Sequence, residues 1–226
     1  MTTSASERRR RLRGLYAVTP EIDDLARLRD LVDRAIEGGA RLVQYRAKRL
    51  AARERRVQAE SLLALCRERG VPLIVNDDLA LAIVLDADGL HLGRDDGDPR
   101  EARSRLPGAI LGVSCYDDVA LAVAAAEAGA DYVGIGSVFA SATKPQAVRS
   151  GLAALGEAGR LTGLPVAAIG GITQANAAEA VAAGADMLAV ISSLFDAPDV
   201  AAAARALSRP FETEDDTHVR TQPAAL

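Results

Sequence analysis

The sequence predicts an α/β fold: one closed (β/α)8 barrel over residues 14–209, with a short flexible segment at each end. Three observations predict it. Eight short β-branched or apolar runs alternate with longer stretches of Ala, Leu, Glu and Arg at helical period. Glycine recurs just ahead of several of those runs, where it can end a helix in the left-handed conformation. The chain has 226 residues and is 49% hydrophobic, enough for a sizeable core. Eight parallel strands, each followed by a helix, fill the usual size of a closed barrel, whereas an open doubly wound sheet normally has fewer strands and a topological switch.

The runs, in order, are Leu15 to Thr19, Leu42 to Arg46, Leu73 to Asn76, Gly89 to Leu92, Ile110 to Ser114, Tyr132 to Gly136, Val166 to Ile169 and Met187 to Ser192. The glycine punctuation is clearest in Glu37-Gly38-Gly39-Ala40, Ala128-Gly129-Ala130-Asp131 and Ala183-Gly184-Ala185-Asp186. Residues 1–13 are polar and carry the run Arg8 to Arg11, which reads as a solvated arm. From about Pro210 the chain turns to Glu, Asp, Thr and Gln without apolar periodicity, so residues 210–226 read as a flexible acidic tail.

Composition removes several function classes. A net charge of −4 offers no broad positive field to a nucleic-acid backbone, and at 3% aromatic residues the chain has few rings on which bases could stack. No apolar run approaches the roughly 20 residues that span a bilayer, and the N-terminus lacks a secretory apolar stretch. Cys66 and Cys115 lie in predicted buried elements without metal-ligand spacing, which fits inert thiols in a reducing cytoplasm. The expectation is a cytoplasmic protein acting on small molecules, without nucleic acid or membrane; a homo-oligomer is left open.

In such barrels the loops after the strands gather at one mouth, so polar residues at strand ends converge there. Here those ends carry Thr19; Gln44, Arg46 and Lys48; Asn76, Asp77 and Asp78; Asp95 and Asp96; Ser114; Thr143 and Lys144; Gly170 and Gly171; Ser192 and Ser193. Strand alternation puts Gln44 and Arg46 on one face and Tyr45 on the other. Three converging cations, Arg46, Lys48 and Lys144, call for an anion of phosphate type, with salt bridges to neighbouring helices the plainer reading. Asp77 and Asp96 follow two different strands, and hard carboxylates among phosphate-binding cations suit Mg²⁺. Asp78 reads as a helix cap. Gly170-Gly171 and Val190-Ile191-Ser192-Ser193 resemble a phosphate cradle after the last two strands. Two anion sites at one mouth suggest two phosphorylated substrates. His91 lies within a strand and His218 in the tail, so no Ser-His-Asp or Cys-His set is spaced for covalent catalysis.

From Leu15 to about Leu207 the chain resembles the thiamine phosphate synthase family. The matching stretches are Leu15-Tyr16-Ala17-Val18-Thr19, Val43-Gln44-Tyr45-Arg46-Ala47-Lys48, Val75-Asn76-Asp77-Asp78, Ala87-Asp88-Gly89-Leu90-His91-Leu92-Gly93 and Gly112-Val113-Ser114. Downstream follow Ala130-Asp131-Tyr132-Val133-Gly134-Ile135-Gly136, Thr143-Lys144, Ala168-Ile169-Gly170-Gly171-Ile172 and Ala189-Val190-Ile191-Ser192. The resemblance implies a TIM-type barrel and a Mg²⁺-assisted transferase. Such an enzyme condenses a hydroxymethylpyrimidine diphosphate with a thiazole phosphate, carboxylated or not, to thiamine monophosphate and pyrophosphate.

Carried over by position, Gln44, Arg46, Lys48, Asn76, Ser114 and Lys144 would hold the pyrimidine diphosphate, with Tyr45 and Ala47 in the same matched stretch. Arg46, Lys48, Lys144 and Ser114 would serve the chemistry, and Asp77 and Asp96 would bind Mg²⁺. Ser141, Ala142, Thr143, Gly171, Ile191 and Ser192 would hold the thiazole phosphate. Two positions depart from the family pattern: Arg94-Asp95-Asp96 stands where Gln-Glu-Asp is usual, and Ser141 where Thr is common. Arg94 adds a cation beside the metal site, which either alters diphosphate binding or pairs with Asp95. Two alternatives remain: the thiazole tautomerase branch of the same family, against which Asn76-Asp77-Asp78 and Thr143-Lys144 argue, and a noncatalytic sensor of phosphorylated ligands.

Overall fold

Alternation along each strand decides which side chains enter the barrel and which face the helices. The computed structural model describes residues 12–140 and 151–212; the arginine run, residues 141–150 and the chain beyond 212 lie outside the described residues. Eight strands form one closed barrel in chain order: β1 (Gly14–Val18), β2 (Ala40–Tyr45), β3 (Leu73–Asn76), β4 (Gly89–Leu92), β5 (Ile110–Tyr116), β6 (Tyr132–Ile135), β7 (Val166–Ile169) and β8 (Met187–Val190). Every neighbouring pair is parallel, and β1 closes the circle on β8 through Leu15 opposite Leu188 and Tyr16 opposite Ala189. The predicted barrel is therefore the observed one, with β3, β4 and β7 at the predicted bounds. The last strand ends two residues early because Ser192 already belongs to a helix.

Helices α1 (Leu25–Glu37), α2 (Ala52–Arg69), α3 (Leu79–Leu85), α4 (Pro99–Arg105) and α5 (Val119–Glu127) follow the first five strands. Then come α6 (Ala153–Thr162), α7 (Ala177–Ala182), the single turn α8 (Ser192–Phe195) and α9 (Val200–Ser208). Five of them start on an aspartate that accepts backbone N–H groups of the first turn: Asp24, Asp78, Asp98, Asp118 and Asp199. Each such cap contributes about 1 kcal/mol. Asp78 caps α3 through Leu81 N at 2.8 Å, as its position predicted. None of the helices among the described residues is long and apolar enough to cross a membrane.

Two apolar layers result. Outward residues such as Leu15, Val43, Val75, Leu90, Val133 and Leu188 pack against the helices. Both cysteines sit buried in this layer, and burial pushes their thiols up to about 12, leaving them unreactive near neutral pH. Inward residues Tyr16, Leu42, Ile74, Ile110, Tyr132 and Met187 fill the barrel, joined by Leu12. Leu12 is only 1% exposed, so a residue of the segment that composition marked as an arm is packed in the core. At the other end Phe211 packs against the outer layer in a turn of 3-10 helix, past the predicted start of the tail.

The middle of the barrel is aromatic. Tyr16 and Tyr132 meet edge to face at 5.9 Å, and His91 stacks on Tyr132 at 5.6 Å. Gly112 makes the room: a Cβ there would collide with the Tyr132 ring. His91 is held neutral, because burial drives its pKa from 6.5 down to about 4.

The strand ends opposite the mouth carry a repeated clamp. The aspartate just ahead of an even strand accepts an N–H from the start of the preceding odd one: Asp88 from Leu73, Asp131 from Leu111 and Asp186 from Val166, at 2.9 to 3.0 Å. Asp131 is buried and also binds Arg103 at 2.6 Å, and that guanidinium spans the carbonyls of Gly129, Leu106 and Ala109.

Two outcomes follow. Asp131→Ala takes the carboxylate from the largely buried Arg103 guanidinium and the acceptor from Leu111 N, and is expected to cost about 3 kcal/mol in urea unfolding. Asp88→Ala, with one hydrogen bond to lose, is expected to cost about 1 kcal/mol. For His91, the unfolded chain binds the extra proton between pH 6.5 and about 4. Its contribution is therefore complete above 6.5 and is lost on acidification, with a slope approaching about 1.4 kcal/mol per pH unit. Unfolding free energies of wild type and His91→Gln across that window should differ by this slope; parallel curves would show that His91 is protonated in the fold.

Candidate active site

One cavity of about 440 Å³ opens at the carboxyl ends of the strands. It gathers most of the predicted residues: Gln44, Arg46, Lys48, Asn76, Asp77, Asp96 and Ser114 on one side, Gly171, Ile191 and Ser192 on the other. Tyr45 and Ala47 do not line it. The side chain of Tyr45 points outward to Gln58, 3.1 Å from its Oε1, and Ala47 packs on the outer layer. Strand alternation requires this once Gln44 and Arg46 face in. Ser141, Ala142, Thr143 and Lys144 lie outside the described residues.

The loop after β2 is fixed from β1. Thr19 Oγ1 accepts from Arg46 N at 2.8 Å, and Glu21 accepts from Lys48 N at 2.7 Å and Arg49 N at 3.4 Å. Glu21 also lies 3.5 Å from the Arg46 guanidinium. The Lys48 ammonium sits 2.9 Å from Asp77. Two of the three cations read as free for an anion are thus partly neutralised by carboxylates. Both remain beside the cavity, and partly exposed pairs of this kind are weak.

Asp77 adopts a left-handed backbone, which aspartate tolerates, and its N–H bonds His91 O at 2.9 Å. Asp96 is held by Gly93 N at 2.9 Å. Burial, then a hydrogen bond and repulsion from Asp77, raise the Asp96 carboxyl above its ordinary range. Two carboxylates brought this close favour either a shared proton or a cation between them. Arg94, read as a candidate partner of Asp95, instead places its guanidinium 4.6 Å over the Tyr116 ring at the rim.

Across the cavity, Gly171 has φ +65, and a Cβ there would strike the backbone of Ala140. Asn176 Nδ2 holds Gly171 O at 3.0 Å, and the Ser193 hydroxyl holds Ile172 O. The turn between β7 and α7 is thereby fixed beside the first residues of α8, a wall without charged side chains among the described residues.

The cavity floor holds residues that sequence reasoning passed over. The Gln44 amide donates to Tyr16 OH at 2.8 Å, and Tyr16 OH meets Tyr132 OH at 2.7 Å. Tyr132 OH meets His91 Nδ1 at 2.9 Å, and His91 Nε2 meets Ser114 Oγ at 2.8 Å. The signal was available: the alternation that placed Gln44 inside also turns His91 inward, between Gly89 and Gly93.

The arrangement joins a cationic and acidic wall, suited to a metal-bound diphosphate, to a neutral wall suited to a second phosphate. The family model described as thiamine monophosphate synthase matches residues 15–194. The chain is 54% identical over 203 residues to the thiamine-phosphate synthase of Aromatoleum aromaticum, covering 89% of this chain and 98% of that protein. It is 55% identical over 204 residues to that of Thiobacillus denitrificans, covering 90% and 97%. Among solved structures, thiamine phosphate pyrophosphorylase from Pyrococcus furiosus superposes with a TM-score of 0.80 at 35% identity, over 89% of this chain and 96% of that one. From the matched span, the barrel and the two-walled mouth together, the chain belongs to the thiamine monophosphate synthase family.

Proposed function

We propose that the cavity holds a magnesium-bound pyrimidine diphosphate against its charged wall and a thiazole phosphate against its neutral wall. The chain is a transferase that joins the two into thiamine monophosphate and releases pyrophosphate. The observation that carries the site reading is the facing pair Asp77 and Asp96, with Lys48 on the first and Arg46 nearby.

That donor set suits Mg²⁺: two hard carboxylate oxygens following separate strands, one with its carboxyl raised by burial and then by the other. Among the described residues no third carboxylate, histidine or cysteine joins them, so water and diphosphate oxygens would complete the shell. When bound, the ion would neutralise charge on the departing pyrophosphate.

The protein's own part follows from its side chains. Arg46 and Lys48 exchange their carboxylate partners for diphosphate oxygens, and Lys144 adds a third cation from outside the described residues. Gln44, Asn76 and Ser114 orient the pyrimidine over the aromatic floor. The backbone around Gly171, Ile191 and Ser192, with Ser141, Ala142 and Thr143, fixes the second phosphate so that the thiazole nitrogen faces the reacting carbon. No side chain is needed to form a covalent link, and closing the mouth on two substrates keeps water from the reactive carbon.

Purified protein given both substrates and Mg²⁺ should form thiamine monophosphate and pyrophosphate in equal amounts. Absence of product would refute the synthase reading, and consumption of a thiazole substrate alone would favour the tautomerase branch. Asp96→Asn should raise the Mg²⁺ needed for half-maximal rate and lower kcat/KM about 100-fold, with an unchanged melting temperature. An unaltered Mg²⁺ dependence would remove Asp96 from the metal site.

A further inference from the structure

The floor of the cavity is a single file of polar groups in an apolar barrel. Gln44, Tyr16, Tyr132, His91 and Ser114 come from β2, β1, β6, β4 and β5, and each meets the next at 2.7 to 2.9 Å. Tyr16, Tyr132 and His91 are at most 8% exposed, so each must spend its hydrogen on a neighbour in the file.

Counting hydrogens gives the file a direction. Tyr16 OH accepts from the Gln44 amide, which leaves Tyr132 as the acceptor for its own hydrogen. Tyr132 OH, already accepting, can place its hydrogen only on His91 Nδ1. The neutral imidazole then carries its proton on Nε2 and donates to Ser114 Oγ. Ser114 Oγ has accepted, so its hydrogen is aimed into the cavity, while Gln44 keeps its carbonyl oxygen for the same space.

We infer that His91, Tyr132 and Tyr16 are positioning residues for the condensation, acting through this file to fix Ser114 as a hydrogen-bond donor and Gln44 as an acceptor toward the bound heterocycle. Neither end can reverse without turning every group between them, and a ligand presenting the opposite pattern meets two unmatched groups. The inference rests on the substrate placement proposed above, but the state of the imidazole is readable without turnover.

The first test uses the full chain labelled with ¹⁵N-histidine. The sequence has two histidines, and His218→Gln identifies the other one. His91 is expected to show one protonated nitrogen, Nε2, from pH 6 to 8. A proton on Nδ1 or on both nitrogens would overturn the proposal, whether or not the protein makes thiamine phosphate. The second test is a double-mutant cycle. Tyr132→Phe keeps the ring stack but breaks the file, so kcat/KM for the pyrimidine diphosphate should fall about tenfold. In a Ser114→Ala background the same change should cost clearly less, because the part of its effect that passes through Ser114 is already lost. An equal loss in both backgrounds would mark Tyr132 as mere packing and overturn the inference. Failure of wild type to condense the substrates would instead sink the proposed function, leaving the imidazole result to stand alone.

Discussion

Closure of β1 on β8 is the constraint from which the rest follows. A closed parallel barrel has no free edge, and it sends every second side chain of every strand into a space without bulk water. Whatever enters must either pack or find a hydrogen-bond partner there. Leu42, Ile74, Ile110 and Met187 pack. Tyr16, Tyr132 and His91 could not be tolerated singly, and together they satisfy one another while stacking. The same closure brings residues far apart in the chain to a common mouth, which is why Asp77 and Asp96 face each other from different loops.

Among the described residues, the cations at the mouth are paired with the protein's own carboxylates. Glu21 holds the backbone of the loop after β2 and shares Arg46, while Asp77 shares Lys48. Unpaired, these cations would repel one another and drift in solvent. Paired, they stay near the positions a diphosphate would occupy, and a doubly charged metal brought by that ligand would take over the carboxylates. The design reads as an exchange of partners, in which the number of unmatched charges stays low at each stage.

The architecture was legible because β-strand and helix periods differ so plainly here: eight apolar runs separated by alanine-rich helical stretches leave little choice of fold. Strand ends were less so. Ser192 looks like the end of an apolar run, yet it opens a helical turn after Ile191, and propensity does not distinguish the two. Most of the mouth could be listed from polar residues at strand ends, and Asp78 could be set aside as a cap. Tyr45 was carried along with its neighbours although alternation turns it outward. His91 was overlooked for the opposite reason: a histidine inside a strand was judged by its position along the chain, when its face was what mattered. Pairing partners such as Glu21 for the Arg46 loop, or Tyr116 for Arg94, depend on how loops fold over the rim and have no periodic signal.

Leu12 stoppers the end of the barrel away from the mouth. Among the described residues the barrel is therefore stopped at its base, and the cavity at the carboxyl ends of the strands is where reactants and products would pass. A heterocycle resting on the aromatic floor, as proposed above, would be screened from solvent on the side away from the mouth.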